Sequence, residues 1–150
     1  MILLVHMLFG VAVASKIQNP FFAIILAFLS HYLLDAIPHV EYSIKKIKSN
    51  KFKEAWPDLL KILIDLFLGS LLVWLLSGRE FIAFIIAFFA IIPDGLTVLE
   101  FIFPNKILKA HSNIHREKIH FLKYKKIPLF WRIFSQTTTI ALSIAILLIK

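Results

Sequence analysis

Five runs of apolar residues, separated by two short turns and two long basic segments, constrain this chain more than any other feature. The runs cover 1–15, 20–37, 59–77, 81–99 and 128–149. A helix needs about 20 apolar residues to cross a hydrocarbon core, with roughly 17 to 25 as the range. The last four runs meet that length. The first is short, so it must stand with little tilt, thin the bilayer locally, or insert partway. Ala12-Val13-Ala14 looks like a signal cleavage site, but no basic residue precedes the run as a signal requires, so a retained helix is expected.

Composition agrees with lipid as the solvent. Hydrophobic residues make up 59% of the 150, against about half in a soluble domain, and Phe occurs 15 times. The fold class expected is all-α: one polytopic bundle of about five transmembrane helices. Pro57 and Pro128 suit the first turn of helices three and five. Pro38 and Pro93 fall at the ends of helices two and four, the latter expected to end that helix at Pro93-Asp94-Gly95.

The charge pattern orients the bundle. Seventeen Lys and Arg against nine Asp and Glu leave a formal charge of +8. The loop 40–58 carries Lys45, Lys46, Lys48, Lys51 and Lys53, and the loop 100–127 carries Lys106, Lys109, Arg116, Lys118, Lys123, Lys125 and Lys126. Basic residues beside helix ends favour the cytoplasm, which predicts an N-inside, C-outside protein of the cytoplasmic (inner) membrane. The same charge is accounted for by loops meeting anionic headgroups, so no nucleic acid is expected as a partner.

Ionisable residues inside spans are costly and usually face the bundle interior. Here they are His6, His31, Asp35, Asp65 and Asp94, joined from the loops by His39, His111, His115 and His120. With no cysteine, a metal site must use His and carboxylates. His31 and Asp35 lie four apart on one helical face, as do His111 and His115, a spacing that lets two side chains reach one ion. In the topology set by Lys and Arg alone, all of these gather at the inner side. Asp65 suits a base or a partner orienting a His, or a structural partner of a buried polar group. Arg116 suits a phosphate. His120 is expected to be a solvated loop residue, and Lys123, Lys125 and Lys126 to contact headgroups.

The stretch His31-Tyr32-Leu33-Leu34-Asp35-Ala36-Ile37-Pro38-His39 resembles a contracted form of the His-Tyr-x-x-Asp-x-x-x-Pro-x-His pattern of zinc-dependent phospholipase C and P1 nuclease. His6, Pro93-Asp94 and His111-Ser112-Asn113-Ile114-His115 are similar to elements of a related family of membrane-bound metal-dependent hydrolases. The Pro-Asp element continues here with Gly95, Leu96 and Thr97 rather than a further Asp and His, and the order of elements is permuted.

The resemblance implies a hydrolase of a phosphoester or lipid-linked substrate. His6, His31, Asp35, His39, Asp94, His111 and His115 would hold a divalent metal, zinc first and manganese or iron next. A metal-ion or proton transporter, with a homo-oligomer supplying a pathway between subunits, and a non-catalytic adaptor are the alternatives to be weighed.

Overall fold

The computed structural model describes residues 1–49 and 52–149. Lys51 lies outside the described residues, as do the side chains of Lys45, Lys48 and Lys123. Among the described residues seven α-helices follow one another: α1 (Leu3–Ala14), α2 (Pro20–Asp35), α3 (Lys45–Lys48), α4 (Trp56–Leu76), α5 (Phe81–Ile102), α6 (Lys106–Asn113) and α7 (Leu129–Leu148). A π-helical turn, Ile114–Ile119, and short 3-10 turns complete the order, and no strand occurs among the described residues.

Local chemistry sets several boundaries. The Asn19 side chain accepts from the N–H groups of Phe21 and Phe22, with Pro20 opening α2 where a missing N–H is harmless. Asn105 caps α6 in the same way. Gly78 and Arg79, both with positive φ, turn α4 into α5.

The core is organised around α1. Eight of its twelve residues are buried, and it packs against α2, α4, α5 and α7. Its upper half, Leu8, Val11, Ala12 and Ala14, meets Ala23, Ala27, Val73, Ala83 and Ala87. Small residues let the backbones approach closely. A Cβ built on Gly10 would lie 2.6 Å from the Cβ of Ala90, so only glycine fits that crossing.

Outside this core, the large apolar residues face outward. Phe21 and Leu33 of α2, Leu63 and Phe67 of α4, Phe88 of α5, and Phe130 and Leu142 of α7 are all exposed. Such a surface requires lipid rather than water around it. Helices α4, α5 and α7, at 21, 22 and 20 residues, are long and apolar enough to cross a membrane. The chain is therefore a helical membrane protein.

Two expectations change in detail. Helices α1 and α2 have 12 and 16 residues, about 18 and 24 Å at 1.5 Å per residue, so three helices rather than five reach spanning length. The reason for α1 is its place: an apolar run of this length is more often a buried core helix than a span. Helix α5 also runs through Pro93 to Ile102 instead of ending there. The N–H that Pro93 lacks would have gone to the Phe89 carbonyl. The next carbonyl, of Ala90, accepts a hydrogen bond from His31.

Candidate metal centre

The starts of α1, α4 and α7 and the ends of α2 and α5 meet at one end of the bundle, closed by the connecting segments. Asp35, on the last turn of α2, is 1% exposed there. Five of the six histidines come within 4 Å of its carboxylate. His31, His115 and His120 face Oδ2 at 3.0, 2.9 and 3.0 Å, while His6 and His39 face Oδ1 at 3.2 and 3.8 Å. The amino group of Met1 is 2.7 Å from Oδ1.

The protons on two of these rings follow from their partners. A carbonyl oxygen can only accept, so the 2.8 Å contact from His31 Nδ1 to Ala90 puts the proton on Nδ1. Thr97 donates its one hydroxyl proton to the Pro93 carbonyl at 3.1 Å, so its oxygen accepts from His115 Nδ1 at 3.0 Å. Both Nε2 atoms then carry lone pairs. They lie 3.1 Å apart and within 3.0 Å of Asp35 Oδ2.

Two lone pairs and a carboxylate oxygen at hydrogen-bond distance, all buried, repel one another unless a cation joins them. Ligands of a tetrahedral zinc at 2.0–2.1 Å stand about 3.3 Å apart, close to this spacing. Backbone or hydroxyl acceptors on the far ring nitrogen are how metal-ligating histidines are oriented. Asp94, half-buried with Oδ1 3.9 Å from His31 Nε2, completes a group of four with His31, Asp35 and His115 that fits one metal ion.

A second group, Asp35, His39 and His120, shares the same carboxylate. His39 Nδ1 donates to the Ile37 carbonyl at 2.7 Å, and its Nε2 lies in hydrogen-bond contact with Glu41 Oε1 at 2.8 Å. The loop carrying His39 is clamped by α7. Arg132 donates to the His39 carbonyl, Ser135 to the Pro38 carbonyl, and the Val40 N–H donates to Gln136 Oε1.

Three side chains stand elsewhere than the sequence suggests. His120, expected to be solvated, is 8% exposed and lies between Asp35 and Glu41, at 3.0 and 3.2 Å. The turn after the π-helical segment folds it inward. Burial alone would lower its pKa, but hydrogen bonds to the two carboxylates outweigh that and raise it to about 9. Burial opposes ionisation of Glu41 as well, yet the same His120 and His39 hold it well below the usual carboxylate range.

His111 lies beside the centre rather than in it. Its Nε2 is 3.2 Å from the Tyr32 hydroxyl and its ring stacks on His115. Burial, then the neighbouring His115 and His31, lower its pKa. Asp65 accepts from the N–H groups of Leu3 and Leu4 at 2.6 and 3.1 Å, capping α1, whose own cap position is Ile2. Of the roles expected for Asp65, this geometry is that of a structural partner.

His6 stacks on His31, with ring centroids 4.0 Å apart, and neither of its ring nitrogens has a hydrogen-bond partner among the described residues. Arg116 lies over the Phe101 ring at 5.3 Å and 3.8 Å from Glu100, at the rim of the site. Sequence reasoning passed over Glu41 and Thr97. Glu41 sits only two residues beyond His39, and Thr97 lies three after Asp94, one helical turn away on the same side.

Comparison with protein-family models, with curated proteins and with solved structures finds no match to the chain.

Proposed function

We propose that the protein is a membrane-embedded, metal-dependent hydrolase acting on a phosphoester at the cytoplasmic face of the inner membrane, akin to the membrane-bound hydrolases its motifs resemble. The observation that carries the reading is the convergence of His31 Nε2, His115 Nε2 and Asp35 Oδ2, with both rings turned by Ala90 and Thr97 so that their lone pairs meet. His31, Asp35, Asp94 and His115 hold the metal, with zinc the first choice for these donors and manganese or iron next. A bound divalent ion supplies a water with pKa lowered from 15.7 toward about 7.

The chain's own residues do the rest. Asp35 joins the two His groups, so a second ion at His39 and His120 would share it. Glu41, partly exposed beside both, stays ionised and holds the rings of His39 and His120 in place. Arg116 turns from Glu100 toward a bound phosphate, replacing a long ion pair with a shorter one. The basic loops sit at this same end, which favours the N-inside orientation and a five-helix arrangement with α1 and α2 inserted beside the three longer helices.

Transport is less well supported. Past His6 and His31 the buried cluster contains Val11, Ala12, Ala14, Ala23, Ala83 and Ala87, and the buried polar side chains beside it, such as Thr139 and Ser143, are hydroxyls; among the described residues no buried ionisable group continues toward the far end. The test is elemental analysis of detergent-purified protein beside His31→Ala/Asp35→Ala. About one or two zinc or manganese ions per chain in the wild type, lost in the variant, supports the reading. A folded wild type that neither holds nor takes up metal defeats it.

A further inference from the structure

A groove of about 780 Å³ runs between α4 and α5, away from the metal centre. Leu59, Ile62 and Leu66 of α4 form one wall, and Ile91, Val98 and Ile102 of α5 form the other. Asp94, His115, Arg116 and His120 also line it and form its polar part, at the metal centre. A second pocket of about 360 Å³ lies on the loop side and contains His39, Lys125 and Arg132. The two share Glu41, Tyr42, Ile44 and His120, so the metal centre stands where an apolar trough meets a basic one.

A glycine marks the groove. Gly10 and Gly69 are fixed by packing, since a Cβ at either would lie 2.6 Å from Ala90 Cβ or 2.7 Å from Met7 Sδ. Gly95, in the interior of α5 and next to Asp94, has nothing within 4 Å of an added Cβ. Glycine there costs helix stability, about 1 kcal/mol relative to alanine, and no neighbouring side chain requires it. It lines the groove, where its effect is to keep the polar end open.

We propose that this groove seats one hydrocarbon chain of a membrane phospholipid, whose phosphodiester reaches the metal centre while its headgroup enters the Lys125/Arg132 pocket. The occupant follows from complementarity. The walls are aliphatic and belong to helices of spanning length, so the chain enters from the bilayer without crossing water. The polar part of the groove presents metal ligands and Arg116, and the adjoining pocket adds Lys125 and Arg132, which suit an anionic phosphodiester and not a neutral lipid. This assignment rests on the hydrolase reading for its chemistry but not for its binding, and the experiment separates the two.

The probe is a phosphatidylglycerol carrying a diazirine on one acyl chain, added to protein in nanodiscs, with labelled residues mapped by mass spectrometry. The control is a diacylglycerol bearing the same chain without the phosphate. The wild type should be labelled at Ile62, Leu66 and Val98 severalfold more by the phospholipid than by the diacylglycerol. Gly95→Trp should abolish that excess while leaving labelling of the outward-facing Leu63 and Phe67 unchanged. Gly95→Ala should retain it.

Water-soluble short-chain phosphatidylglycerols give a second readout. Each methylene added to the seated chain should tighten binding about fourfold until the groove is filled. Metal content is measured on every sample. Groove labelling that persists in a metal-free protein would keep the lipid site and remove the hydrolase. Full metal content with labels confined to Leu63 and Phe67, or equal labelling by the diacylglycerol, overturns the phospholipid site alone.

Discussion

The two ends of α1 are built on opposite principles, although the same helices pack around both. At the far end, Val11, Ala12 and Ala14 meet Ala23, Ala83 and Ala87, and stability comes from close approach of backbones. At the near end, His6 meets His31 and Asp35, and a ring of histidines surrounds one carboxylate. Gly10 stands between them. Its contact with Ala90 fixes the spacing of α1 and α5, and the carbonyl of Ala90 fixes the ring of His31. The apolar end is thus the support on which the polar end is aligned, so mutations at the two ends should act differently.

The largest effect should come from the hub. Asp35→Ala removes the carboxylate shared by five histidines, and unpairing a buried group of this kind costs about 3–5 kcal/mol. The variant should lose all bound metal and unfold well below the wild type in a thermal melt. A variant with native metal content would mean that the near end is only a packing device.

Next is the support itself. Gly10→Val forces a branched side chain against Ala90, and overpacking of this sort costs about 1–3 kcal/mol. If the far end aligns the near end, the same variant should also bind metal more weakly, although no ligand has been touched. Loss of stability with unchanged metal affinity would break that link. Gly95→Ala is the counterpart: with open space around it, it should raise stability by up to about 1 kcal/mol.

Thr97→Val tests the orientation of a ligand without overfilling the core. It removes the acceptor for His115 Nδ1 and keeps nearly the same shape. Loss of such a partner weakens metal binding roughly 10–100-fold. Titration with a competing chelator should find that drop, and an unchanged affinity would show that His115 is held by packing alone.

The sequence made the near end legible in part. His31 and Asp35 were readable because a four-residue spacing on a helix is a local property, and Asp94 because a carboxylate in an apolar run has few other uses. His120 and Glu41 were not readable, because their positions depend on how a loop folds back after a π-helical turn. No periodicity reports that. Helix α1 was read as a short span because apolar composition does not distinguish burial in protein from burial in lipid. Pro93 reads as a stop because the missing N–H is a local property, whereas the packing that lets α5 continue to Ile102 is set by distant parts of the chain.

Metal removal adds a pH dependence that the far end cannot produce. His120 has its folded pKa raised to about 9 from an ordinary 6.5. With the metal chelated, the stability it contributes is fully present below about pH 6.5 and is lost as the pH rises through about 9. The chelated protein should therefore melt at a lower temperature at pH 9.5 than at pH 7, and His120→Gln should flatten that slope. A slope that survives in the variant would assign the titration to another group.

The smallest effect separates two roles for Asp65. As the cap of α1, it accepts from the Leu3 and Leu4 N–H groups at the positive end of the helix. Asp65→Ala should then cost about 1 kcal/mol, a usual value for a lost cap. Asp65→Asn keeps an acceptor and should cost less, with full metal content in both. As a base it would act differently: Asp65→Asn would retain stability and metal yet lose turnover of a phosphodiester by orders of magnitude. Melting temperature and metal content alone do not separate these cases. The ratio of turnover between the Asn and Ala variants does, because a capping role predicts that Asn is the more active and a base predicts that both are equally inactive.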